Sequence, residues 1–196
     1  MDKRKAKRSQ NKASQTQRFA ALQTDIMTAI SAGKDYESLA CDYSESILKR
    51  VFSRLAIEAP ELLDRALGAP AHEMRILIDE CVDPAVLPDI HRGVGRAIPA
   101  ALLFGKSVKD QPLYQAATEN RFHAIVSCDS VSAGKHDLCG LARRAFEGGN
   151  PHAPRIIIVP QKTEDALAAL RQHVQMMSDF LHKKEAPPVL TLNAGM

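Results

Sequence analysis

Hydrophobic and polar positions change rhythm near Met74. Before that point apolar residues recur at helical spacing. In "RFAALQTDIMTAISAG", Phe19, Leu22, Ile26, Met27 and Ile30 form one stripe that Gly33 ends. In "SESILKRVFSRLAIE", Ser44 is placed to cap a helix whose buried face is Ile47, Leu48, Val51 and Leu55. A short apolar turn around Leu39 and Ala40 precedes it, and "APELLDRALGAPAHE" adds a last short helix before Gly68 and Pro70. After Met74, unbroken apolar runs alternate with amphipathic stretches. "MRILID", "HAIVSCD" and "RIIIVP" read as buried strands and "AIPAALLF" as a weak extended run. Helices are predicted in "DPAVLPDIHRG", "VKDQPLYQAATENRF" and "HDLCGLARRAFEG". A single long one is predicted over "TEDALAALRQHVQMMSDFLHKK", capped by Thr163, with Leu167, Leu170, Val174, Met177 and Leu181 as its core stripe. Runs without polar alternation are buried on both faces, so this half predicts a parallel sheet sandwiched by helices.

The organisation that follows is a basic, disordered tail over residues 1–18, a helical module over 19–70, an α/β domain over 74–183 and a flexible end over 184–196. Charge supports the tail: residues 1–18 hold seven of the 26 basic groups and one of the 23 acidic ones, so all of the net +3 comes from there. Such an arm tracks phosphates by displacing counterions, or simply stays solvated. The helix pair around Asp42 and Tyr43 resembles a helix-turn-helix, in which Lys49 and Arg50 would face DNA along with Glu45, Ser46 and Ser53; the plainer reading is a hairpin packed on the next domain. No apolar run reaches the length of a membrane span and the N-terminus lacks a secretory core, so the expected compartment is the cytoplasm. Cys41, Cys81, Cys128 and Cys139 lack metal-type spacing and read as small buried thiols.

The chemistry concentrates in carboxylates. In an open parallel sheet, functional groups collect beyond the C-terminal strand ends. Asp79 and Asp129 each follow an apolar run, and Asp110 and Asp137 each open a helix starting on that edge. If the first and third strands are neighbours, the four converge. Such a cluster raises its own pKa values unless a hard cation such as Mg²⁺ or Mn²⁺ neutralises it. Taken singly, each acid has an ordinary alternative as a helix cap or turn residue.

In order and spacing, "RILIDECVDP", the Asp-started "KDQPLYQAA", "AIVSCD" and "HDLCGLARRA" resemble the PIN-like nuclease family, in particular the small toxin-type branch often encoded beside a helix-turn-helix antitoxin. The resemblance covers Met74 to Lys183 and implies a three-layer α/β/α PIN-like fold with a central parallel sheet behind a small all-α module. It puts Asp79, Asp110 and Asp129 on the family's acidic positions and Glu80 on the second acid of the first motif; Cys81 replaces the usual Asn. Ser127 matches a Thr that orients a carboxylate or a water. The family's next acid is missing, since Val131 stands there; treating "SVSAGK" as an insertion brings Asp137 into its place.

The implied function is a metal-dependent endoribonuclease that hydrolyses RNA phosphodiesters, with Asp79, Asp110, Asp129 and Asp137 catalytic and, with Glu80, binding Mg²⁺ or Mn²⁺. Lys106, Lys109, Arg121, Lys135, Arg143 and Arg144 would guide the RNA backbone, and Lys49 and Arg50 would meet nucleic acid through the N-terminal module. Implied partners are RNA, DNA through that module, a second copy or an antitoxin. The competing expectation is a PIN-like protein without activity that binds nucleic acid or a partner as a regulator. A phosphatase-like or receiver-like reading ranks lower, because Lys162 follows a proline. "GVG" at Gly93–Gly95 is too short for a dinucleotide loop.

Overall fold

The computed structural model describes residues 3–68, 73–105, 107–129 and 137–193. Five strands, β1 (Arg75–Ile78), β2 (Arg96–Pro99), β3 (Ala124–Ser127), β4 (Arg155–Ile158) and β5 (Val189–Thr191), form one sheet in the order β2-β1-β3-β4-β5. All neighbours are parallel. Successive strand residues point to opposite faces, and every residue of β3 is buried, so the sheet is covered on both sides there. Ile76–Ile78 and Ile156–Ile158 are buried too, which is why these runs show no polar alternation. Each fully buried Ile or Leu side chain contributes about 1.5–3 kcal/mol of transfer free energy. The chain is thus an α/β protein, as the apolar runs predict. Among the described residues no helix is long and apolar enough to cross a membrane.

The N-terminal half differs from expectation at its start. Helix α1 runs from Lys3 to Ser31 and does not begin at Phe19 after a disordered tail. The stretch contains no Gly or Pro and is rich in Ala, Lys, Arg and Gln, all good helix formers, so nothing interrupts it before Gly33. Gly33 then takes φ +96°, a left-handed conformation that ends the helix with the Lys34 N–H on the Ala29 carbonyl at 3.0 Å. α2 (Tyr36–Asp42), α3 (Glu45–Glu58) and α4 (Pro60–Leu67) follow.

α2 and α3 have the helix-turn-helix sequence of elements, but α3 packs on β2 and on the 3₁₀ turn Pro84–Val86. Leu48, Val51, Leu55 and Leu63 belong to the same buried cluster as the sheet residues. The boundary suggested near residues 70–74 therefore separates elements and not cores. Ser53, expected outward, is buried.

Four more elements depart from the pattern reading. "AIPAALLF" divides into β2 and the one-turn helix α6 (Ala100–Leu103). The predicted long C-terminal helix is two, α9 (Thr163–Gln172) and α10 (Val174–His182), broken at His173 with φ −115° and ψ 19°. The break seats Val174 against Gly93 at the end of α5 (Leu87–Gly93), where a Cβ would lie 2.5 Å from Val174 Cγ2. Gly95 is equally constrained, since its Cβ would meet the Met74 carbonyl oxygen at 2.7 Å, so "GVG" serves packing. The cap of α9 is Lys162, and Thr163 Oγ1 instead donates to Asp83 Oδ2 at 3.0 Å. Finally, the end expected to be flexible supplies β5 and the buried Leu192, with the Ile156 N–H on the Pro188 carbonyl at 2.8 Å.

Candidate carboxylate site

Strand progression reverses between β1 and β3, which are adjacent although β2 lies between them in sequence. In open parallel sheets the crevice at such a reversal, beyond the C-terminal strand ends, is where ligands bind. Ile78 is in register with Val126, and the Asp79 N–H continues the ladder to the Val126 carbonyl at 2.9 Å. The register delivers Asp79 and Asp129 to the same edge. α7 (Asp110–Glu119) and α8 (Leu138–Glu147) bring the other two acids.

Asp79 is buried, 9% exposed. Its Oδ1 accepts the Glu80 N–H at 2.7 Å, and its Oδ2 accepts the Ser127 hydroxyl at 2.8 Å and the Cys81 thiol at 3.3 Å. Ser127 thus orients a carboxylate, the role expected of it. A pocket of about 260 Å³ is lined by Asp110, Ser127, Asp129, Asp137, Leu138, Cys139 and Ile158. Burial pushes the Asp110 carboxyl above the usual carboxylate range, and the charges of Asp79, Asp129 and Asp137 push it further, against the Leu138 backbone N–H. Asp79, Asp110 and Asp129 make no ion pair with any described basic side chain. Asp137 combines both readings: it lines the pocket and caps α8, its Oδ1 accepting the Gly140 N–H at 2.6 Å. Asp110 is no cap, because Lys109 holds the cap position of α7.

Other predicted site residues lie elsewhere. Glu80 turns to the loop before α7, its Oε2 accepting the Ser107 N–H at 2.5 Å, and does not line the pocket. Ser107 has φ +60°, so this carboxylate holds a left-handed turn. Lys49 bridges Asp83 at 2.9 Å and Glu45 at 3.1 Å, and exposed Arg50 lies over the Phe19 ring at 4.0 Å, so both residues expected to contact nucleic acid have partners within the chain. Asp83, the third acid of the opening motif, caps the 3₁₀ turn through the Ala85 N–H. Arg121 precedes β3 at the opposite end of the sheet, roughly 13 Å away for a four-residue strand. Lys109, which precedes α7, and Arg143 and Arg144 on α8 are exposed, whereas Lys106 and Lys135, like the 130–135 insertion, fall outside the described residues.

The cysteines differ from the small buried thiols that their spacing predicts. Only Cys139 is buried; Cys41 and Cys81 are exposed and Cys128 is intermediate. Cys81 and Cys128 stand beside Asp79 and Asp129 because the adjacent β1 and β3 end there, a proximity visible only through the strand pairing.

Searches against family models, curated proteins and solved structures find no match to this chain.

Proposed function

We propose that the chain is a metal-dependent ribonuclease of PIN-like type, with a three-layer α/β/α PIN-like domain fused to an N-terminal helical element. The observation that carries this reading is the gathering of Asp79, Asp110, Asp129 and Asp137 at one sheet edge, with Asp110 held above the usual carboxylate range by burial and then by the charges of the other three. An all-oxygen donor set of this charge fits Mg²⁺ or Mn²⁺. The four aspartates would hold the ion by drawing in around it, since no three of their carboxylates lie within 4.8 Å of one another, and when bound it would supply Lewis-acid stabilisation of the charge that builds on a phosphodiester under attack. Ser127 keeps the Asp79 carboxylate in one orientation through its 2.8 Å hydrogen bond, while the aliphatic walls Leu138 and Ile158 limit water on one side. Exposed Lys109, which precedes α7, and Arg143 and Arg144 on α8 would meet the RNA backbone on this reading. A cytoplasmic toxin restrained by an antitoxin partner is the setting this reading suggests.

The test is Mn²⁺ titration by calorimetry on wild type and Asp79→Ala, followed by cleavage of single-stranded RNA with both. Saturable binding and metal-dependent cleavage in the wild type, with a loss of at least about a hundredfold in the variant, supports the reading. Absence of saturable Mn²⁺ binding in the wild type overturns it and leaves a regulator that binds without cutting.

A further inference from the structure

We propose that Cys81, Cys128 and Asp129 form a binding site for a thiophilic divalent cation, Zn²⁺ in the first place, at the edge of the carboxylate pocket. The two sulfurs and one Asp129 oxygen all lie within 4.8 Å of one another. Two thiolates and a carboxylate, completed by water, have the composition of an open zinc site. Cys81 sits in the turn after β1 and Cys128 directly after β3, so the parallel pairing that aligns Ile78 with Val126 sets them side by side.

Each donor is held by short contacts. The Cys128 N–H donates to Cys81 Sγ at 3.1 Å, a contact that would also support the thiolate formed on metal binding; without an ion, burial pushes the Cys81 thiol up and it stays protonated, donating to Asp79 Oδ2. Cys128 Sγ reaches the Cys81 carbonyl at 3.0 Å, and the Asp129 N–H reaches Ser127 Oγ at 3.2 Å. Cys81 is exposed and Cys128 partly so, which gives an ion a path in. Soft thiolates select Zn²⁺ over Mg²⁺, so this position differs in ligand chemistry from the all-oxygen set next to it, with Asp129 shared by both. Binding converts two S–H groups to metal-bound thiolates and releases their two protons to solvent.

The experiment uses the full chain kept reduced with a phosphine, with Co²⁺ as the spectroscopic probe and Zn²⁺ as competitor. Expected is one equivalent of Co²⁺ with sulfur-to-cobalt charge-transfer absorption, displaced by Zn²⁺ and not by Mg²⁺. Cys81→Ser and Cys128→Ser should each lose the band, while Cys41→Ser and Asp110→Asn keep it. Asp129→Asn should weaken binding by at least the roughly tenfold that loss of even an outer partner costs. On the wild type alone, Zn²⁺ should slow alkylation of Cys81 and Cys128, read by mass spectrometry, and leave the rate at Cys41 unchanged. Absence of a charge-transfer band overturns the proposal, as does a band that survives the Cys81→Ser, Cys128→Ser double variant, or alkylation of those two thiols that Zn²⁺ does not slow. No readout involves RNA, so failure here is separable from failure of the nuclease reading.

Discussion

The two ends of the sheet sort charge by sign and treat it differently. At the C-terminal end stand Asp79, Asp110, Asp129 and Asp137; at the other, a cavity of about 640 Å³ is lined by Arg121, His123, His152, Arg155, His182 and Lys184. The cations nearest the strands have partners within the chain, although Arg155 Nη1 is buried without one. The Arg155 guanidinium donates to the Lys183 carbonyl and, at 3.2 Å, to that of Lys184, and it lies over the Phe180 ring at 5.1 Å. Arg75 donates to the Asn120 carbonyl at 2.6 Å and lies over Phe122 at 4.5 Å. At the acidic end burial and the charges of Asp79, Asp129 and Asp137 instead raise the pKa of Asp110. The basic groups lean on carbonyls and rings of the chain, while the acidic groups gather at the strand-order reversal, which is where the proposed ion would bind.

The largest expected effect is therefore ligand-dependent and confined to the acidic end. Mn²⁺ at about a hundred times its Kd should stabilise the wild type by about 2.7 kcal/mol, measured as a shift of the thermal or urea midpoint. In Asp110→Asn that gain should collapse. An equal shift in the variant would show that the ion binds elsewhere.

At the basic end the sign is opposite: Arg155→Ala should destabilise by about 2 kcal/mol, through lost bonds to the 183–184 carbonyls and lost packing on Phe180, and should leave Mn²⁺ affinity unchanged. Hydrogen exchange at β5 should rise with it, because the carbonyls it holds lie just before that strand.

Much of this contrast was legible in the sequence for one physical reason: runs such as "RILID" and "AIVSCD" carry a burial pattern and an acid in the same few residues, so fold and site were read together. β1 does neighbour β3, Asp110, Asp129 and Asp137 line one pocket, and Asp79 lies near enough to act on Asp110. What stayed hidden depends on tertiary contacts. The three residues of β5 are too few for periodicity, and only pairing with β4 defines them as a strand. The break at His173 reflects Val174 docking on Gly93, which no helical stripe records. Lys49 and Arg50 have the composition of a nucleic-acid contact, but Asp83 and Phe19 lie 34 and 31 residues away in sequence and claim them. The Cys81–Cys128 approach spans 47 residues and follows from strand order alone.

Asp64 is an internal control for the comparison, because this carboxylate has a cation, Arg96, and an imidazole, His91, beside it. Arg96 Nη2 lies 2.7 Å from its Oδ2, and the fully buried His91 ring places Nε2 3.2 Å from its Oδ1. Burial nevertheless dominates and lowers the His91 pKa below the ordinary 6.5, Asp64 pulling the other way and Arg96 and Arg92 adding to the depression. The unfolded chain then binds more protons than the folded one below that value, so stability is level above about pH 6.5 and falls as the medium is acidified. The limiting slope for a single group is about 1.4 kcal/mol per pH unit. Urea titrations across this range should show the loss in the wild type and a flatter line in His91→Leu; an identical slope in both would assign the proton to another group.

The smallest effect tests the acidic end most directly and has the reverse sign. With its pKa raised above 3.8, Asp110 binds more protons folded than unfolded, so the wild type should lose stability as pH rises from about that value through the raised folded one, then level off. Asp110→Asn carries no such proton and should lack that segment. Above it the variant should be the more stable protein, by only about 0.5 kcal/mol, because the group is partly exposed and solvent screens the repulsion. Paired urea melts at pH 4 and pH 7 would measure the difference. Saturating Mn²⁺ should then reverse the order at pH 7, making the wild type the more stable of the two, because the cation turns mutual repulsion among the aspartates into shared ligation. A variant that stays more stable with Mn²⁺ present would mean that the four acids repel one another without holding an ion, and the contrast between the two ends of the sheet would lose its functional meaning.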